Sequence, residues 1–141
     1  MFSSNRAAMR RAFIDAWGKF RGNAPLEPLE RLIAEVVRQH PEYHKLLEHP
    51  EQVLDKDYLP EAGETNPFLH LSMHLGVQEQ VGTDRPPGIR AVYERLVTGA
   101  GDAHEAEHRM MECLGRVLWE AQRQNTAPDD QAYLECLRGL T

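Results

Sequence analysis

Six of the seven histidines in this 141-residue chain fall into three pairs spaced i, i+4: His40/His44 in HPEYH, His70/His74 in HLSMH and His104/His108 in HEAEH. Four residues are about one helical turn, so each pair projects from one side of its segment if that segment is helical. Scattering seven histidines at random over 141 positions gives about a third of one such pair. Neutral imidazole is a common transition-metal ligand, and three pairs predict helices that gather around a metal. Imidazole-rich sets with few carboxylates suit zinc, iron, nickel, cobalt or copper better than magnesium or calcium; iron or zinc is expected first, with nickel, cobalt or manganese after them. Six imidazoles exceed the three or four donors that one zinc takes. Two arrangements follow. One is a dinuclear centre that shares the ligands. The other is a single ion held by three or four histidines, with the rest as supports or a general base. An open position on either would activate water or bind dioxygen.

Whether the pairs meet depends on the helices that carry them. Read as if continuous through Pro41, the second helix places Leu29, Ile33, Val36, Val37, His40, Tyr43, His44 and Leu47 on one face, and Arg31, Arg38, Glu42 and Lys45 on the other. The first pair then points inward, although Pro41 must kink or split the helix. PFLHLSMHLGVQ has no formal charge over twelve residues, which predicts a helix buried on most sides. His70 and His74 inside it need hydrogen-bond partners or a ligand, because an unpaired buried polar group costs about 1–3 kcal/mol.

The helix that carries the third pair has Ala103, Met110, Met111, Leu114 and Leu118 on its apolar face, with His104 at the edge and His108 nearer the polar side. Glu107 falls within the apolar arc, where a carboxylate is out of place, and is the preferred acidic ligand. Glu105 has a structural explanation as the acid of a capping box with Asp102. Glu48 and Glu112 continue the HxxxHxxxE spacing but lie towards polar faces, and are second-choice ligands. Asp55 and Asp57 sit in a connection whose place is open, and His49 reads as a cap or loop residue.

The remaining pattern predicts an all-α, single-domain helical bundle of about five to seven helices spanning residues 1–141. The first helix starts near Ser4, carries Phe13, Ile14, Trp17 and Phe20, and stops at Gly22-Asn23. A second begins near Pro25–Pro28. Residues 49–66 read as the main irregular connection, and Asn66-Pro67 as a helix start for a helix reaching about Val81. Thr83–Gly88 interrupts the chain before a short helix, Ile89–Val97. A turn at Gly99–Gly101 precedes a long helix to about Gln124. A last helix after Pro128 turns Tyr133, Leu134 and Leu137 inward.

The formal charge is −6 with no basic stripe, which argues against nucleic acid. Arg6, Arg10, Arg11, Lys19 and Arg21 read as a solvated face of the first helix. No apolar run reaches membrane-spanning length and the charged start lacks a signal-peptide core, so a cytoplasmic monomer or homodimer is expected. Cys113 and Cys136 read as reduced core thiols rather than a disulfide or a zinc pair. Met110, Met111 and Trp119 read as core. No nucleophile elbow, P-loop or dinucleotide fingerprint occurs.

The segments HPEYH (40–44), NPFLHLSMHL (66–75), TDRPPGI (83–89) and GDAHEAEHRMMECLGRVLWEAQ (101–122) resemble the bacterial proteins grouped as domain of unknown function 1841 over nearly the whole chain. That resemblance implies a small bacterial protein and carries no activity. More loosely, the paired histidines are similar to those of haemerythrin-like and DinB-like bundles. The first group uses HxxxH and HxxxE helices for di-iron, whereas all three clusters here are HxxxH. The second uses three histidines for one metal, and here there is a surplus. Fold alone does not fix function. The residues point to a metalloprotein acting as a hydrolase, transferase or non-haem iron oxygen or redox protein on an unidentified small molecule or protein. The alternative is a non-catalytic interaction or structural protein whose histidines form a buried polar network.

Overall fold

The computed structural model describes residues 2–59 and 65–141, with side chains from residue 6 onward. Among these residues every regular element is helical, as the sequence predicts. The order is α1 (Phe2–Arg21), α2 (Pro28–Arg38), a 3-10 turn (Pro41–Tyr43), α3 (His44–Leu47), α4 (Pro50–Val53), α5 (Pro67–Thr83), α6 (Ile89–Ala100), α7 (Ala103–Gln124) and α8 (Asp130–Gly139). The expected irregular connection therefore contains the short helix α4; its residues 60–64 lie outside the described residues. The chain divides into two compact units, Met1–Leu75 and Gly76–Thr141. No helix among the described residues is long and apolar enough to cross a membrane.

In the first unit α1 packs on α2 and α3. Phe13, Ile14, Ala16 and Trp17 of α1 meet Ile33, Val36 and Val37 of α2, with Leu47, Val53, Phe68 and Leu71 completing the core. The buried stripe of α2 begins at Ile33. Leu29, one turn earlier, is 61% exposed, contrary to the sequence expectation. Asn66 starts α5 as expected, its Oδ1 accepting the backbone N–H groups of Phe68 and Leu69 at 3.0 and 3.2 Å.

Arg10 corrects the reading of α1 as a solvated basic face. It is 1% exposed, and its Nη1 donates to the carbonyls of Val53, Leu54 and Lys56 at 2.8, 3.2 and 2.8 Å. The last carbonyls of a helix have no partner within it, and Arg10 supplies one where α4 ends. Its guanidinium lies 4.9 Å from the Phe68 ring centroid, a favourable cation–π position.

In the second unit α7 packs against α6 and α8, and α8 also meets α6. Gly101, at φ +73°, ends α6 in the left-handed conformation that a side chain disfavours. Asp102 then caps α7 by accepting from the His104 N–H at 3.2 Å. Glu105 turns to Arg109, 3.5 Å away, so the expected capping box gives way to an i, i+4 ion pair. Tyr133, Leu134 and Leu137 are buried as expected. Trp119 is 57% exposed, with the Arg123 guanidinium 4.7 Å from its ring, so it is not core.

Cys113 and Cys136 form a disulfide, with Cα atoms 5.9 Å apart. This overturns the reading of reduced thiols. The two residues are 23 positions apart, but α7 and α8 pack against each other and bring them together.

Candidate metal-binding histidines

Pro41 sets the geometry of the first unit's histidines. A proline cannot donate to the preceding turn, and α2 ends at Arg38, leaving its final carbonyls to find other donors. His40 folds back so that Nδ1 lies 2.7 Å from the Val36 carbonyl. His44 follows from α3, its Nε2 2.8 Å from the Val37 carbonyl. A carbonyl only accepts, so each of these ring nitrogens carries a proton. The two histidines, four residues apart, thus both bond the end of one helix instead of sharing a helical face.

The consequence for each ring differs. A neutral His40 protonated on Nδ1 has its lone pair on Nε2, and that atom lies 3.2 Å from Nε2 of His70. His44 uses Nε2 for the carbonyl, and its ring packs 4.4 Å from Trp17. His44 is therefore engaged with the core of α1 and the end of α2.

On α5 the i, i+4 reading holds. His70 and His74 lie one turn apart, with their Nε2 atoms 3.3 Å from each other. His40 and His74 are fully buried and His70 half-buried. Ring nitrogens of His40 and His74 lie within 4.8 Å of one another. Thus three imidazoles of this unit present nitrogens to one small volume, with His70 Nε2 in contact with both neighbours. Tyr43 stacks on His40 at 5.6 Å and stands edge-on to His70 at 6.1 Å. Burial, and secondarily Glu42, raise the Tyr43 hydroxyl above its ordinary pKa, so it stays protonated beside the rings.

In the second unit His104 and His108 are both half-buried on α7. Their rings are T-shaped with centroids 4.3 Å apart, and ring nitrogens of the two lie within 4.8 Å. Glu107 is buried, as its place in the apolar arc predicts. Gln78 Nε2 donates to its Oε1 and Oε2 at 3.2 and 3.4 Å, and the carboxylate lines a cavity with Tyr93.

The other acidic candidates go elsewhere. Asp57 holds Arg6 at 2.6 Å, a contact that keeps its carboxyl below the usual range. Glu48 lies 3.6 Å from Arg21, Glu112 is exposed, and His49 faces Glu51 at 3.6 Å. Asp55 is exposed and offers its backbone carbonyl to Arg6 at 3.3 Å. Sequence spacing had no signal for the carbonyl bond that fixes His40, although a histidine directly before a proline at a helix end is the pattern that produces it.

The family model described as Domain of unknown function (DUF1841) matches residues 5–139. Comparison with curated proteins and with solved structures gives no match.

Proposed function

The chain belongs to the DUF1841 family, and we propose that it is a metalloprotein in which His40, His70 and His74 bind a transition-metal ion, iron or zinc, with His104 and His108 as a further donor pair. The spacing of the Nε2 atoms carries this reading. Bonds of about 2.0–2.1 Å to a tetrahedral ion put neighbouring nitrogens about 3.3–3.4 Å apart; the separations here are 3.2 and 3.3 Å. The Val36 carbonyl on His40 Nδ1 supports it further. Metal-bound histidines commonly donate their other N–H to such an acceptor, which fixes the tautomer and leaves the coordinating lone pair available.

Three imidazoles are the protein ligand number of an open zinc site, with a fourth position left for water or substrate. Zinc there would lower the pKa of its water and support hydrolysis or group transfer; iron in the same set would favour dioxygen chemistry.

A second reading has a specific observation in its favour. The same 3.2 and 3.3 Å separations suit imidazole hydrogen bonds, so one proton on His70 Nε2, shared between its neighbours, would make the trio a buried polar network in a non-catalytic protein. Elemental analysis of tag-free protein, purified without added metal or chelator, separates the two. The metalloprotein reading expects about one or two equivalents of iron or zinc, with loss of at least one in His70→Ala. Protein that holds no metal after reconstitution supports the network instead.

A further inference from the structure

The Cys113–Cys136 disulfide joins two residues that differ in access to solvent. Cys113 lies on the buried face of α7 with Met110, Leu114 and Val117, and only 2% of it is exposed. Cys136 of α8 is half-buried. It stands three residues after Tyr133 and one before Leu137, at the border of the face that α8 turns inward. An external thiol therefore reaches the bond from the α8 side.

The attachment of α8 is slight apart from this bond. The helix is ten residues long, and an isolated helix shorter than about 12–15 residues is marginal in water. Asp129 Oδ1 accepts the N–H groups of Gln131 and Ala132 at 3.0 and 3.1 Å, which serves the first turn of α8 without tying it to another element. Tyr133, Leu134 and Leu137 are its buried side chains, packed where α8 meets α6 and α7. The Tyr133 hydroxyl adds its bond to Gln80 Oε1 at 2.6 Å. These contacts open and close reversibly, whereas the disulfide holds α8 to the middle of α7 throughout. α7 itself is anchored along its length by buried residues from Ala106 to Ala121. Local opening favours the element with fewer buried contacts, so loss of the bond frees α8 and leaves α7 in place.

We propose that the Cys113–Cys136 bond is a thiol-operated lock on α8, entered at Cys136. A small thiolate attacks Cys136 Sγ and forms a mixed disulfide there as the bond to Cys113 breaks. Cys113 Sγ leaves as a thiolate and takes a proton from water. A second thiolate attacks the small-molecule sulfur of the mixed disulfide and releases a small disulfide, and the Cys136 thiolate is protonated in turn. Two small thiols are oxidised and the protein bond is reduced. In the dithiol form α8 undocks and unwinds transiently, uncovering Tyr133, Leu134 and Leu137 and the α7 surface beneath them. The lock uses no histidine and stands apart from the metal reading.

Two measurements on the full chain test it. Oxidised protein is mixed with reduced glutathione, acid-quenched early and mapped by peptide mass. The mixed disulfide is expected on Cys136 at least tenfold over Cys113; equal attachment, or a bond that opens only once the whole chain unfolds, would overturn the entry at Cys136. Hydrogen exchange is then followed in oxidised protein, in protein reduced with dithiothreitol and in Cys136→Ser. Amides of residues 133–139 should exchange at least tenfold faster in the reduced protein and in the variant, while those of residues 106–117 stay within about twofold. Unchanged exchange in α8, or an equal acceleration in α7, would overturn the lock.

Discussion

Replacing His70 with alanine removes the nitrogen that touches both of its neighbours, at 3.2 Å from His40 and 3.3 Å from His74. A ligand that binds only the folded chain stabilises it by about 2.7 kcal/mol at one hundred times its Kd. At about 3 °C per kcal/mol for a chain of this size, zinc at that excess should raise the wild-type Tm by about 8 °C. The variant retains His40 and His74, two donors where an open zinc site takes three. If affinity falls about a hundredfold, the same zinc concentration only reaches the new Kd. The stabilisation then shrinks to about 0.4 kcal/mol, or about 1 °C. The assay is thermal unfolding of tag-free, chelator-treated protein with zinc titrated back. His44→Ala is the control. It removes a histidine of the same motif whose Nε2 serves the Val37 carbonyl, so its starting Tm drops while its zinc-induced rise stays near 8 °C. An equal rise in His70→Ala and wild type, or a rise abolished in folded His44→Ala, would refute the trio as the donor set.

Three further outcomes test the frame that holds these residues. Arg10→Met should cost about 2–4 kcal/mol in urea unfolding, because the carbonyls of Val53, Leu54 and Lys56 lose their shared donor; a loss under about 0.5 kcal/mol would mean that water replaces it. The disulfide encloses a loop of 23-residue separation, worth about 3.5 kcal/mol by the chain-entropy relation. Reductant should therefore lower the stability of wild type and leave Cys136→Ser unaffected, and identical responses would contradict the bond. Tyr133 is buried, its hydroxyl donating to Gln80 Oε1 at 2.6 Å, and burial raises its pKa well above 10.0. The unfolded chain then loses this proton first as pH rises, so the neutral hydroxyl's contribution is complete below about pH 10 and declines above it. Tyr133→Phe should be less stable at neutral pH by about 1 kcal/mol but show a shallower alkaline decline; equal slopes would remove Tyr133 as its source.

The helices were legible where periodicity and caps agreed. Asn66-Pro67, Gly22-Asn23 and the inward Tyr133, Leu134 and Leu137 all depend on short-range rules, and the structure follows them. What escaped were contacts between segments distant in sequence. Arg10 reads as surface because it is charged and groups with the other basic residues of α1, yet the end of α4 lies over it. Cys113 and Cys136 read as separate thiols because their spacing matches no local motif, and only the packing of α8 on α7 pairs them.

The histidines divide along the same line, and they show why equal spacing did not mean equal geometry. His70/His74 and His104/His108 each lie within one uninterrupted helix, so four residues do place two rings side by side. His40/His44 straddles a proline, and the identical spacing there produces two rings that each bond a carbonyl of α2. Continuity through Pro41 would have stacked His40 and His44 as a third pair. The break instead separates their tasks: His44 packs against Trp17, while His40, its tautomer fixed by Val36, turns its Nε2 to His70. The proline that weakens the helical argument for the first motif is thus the residue that brings His40 beside His70 and His74.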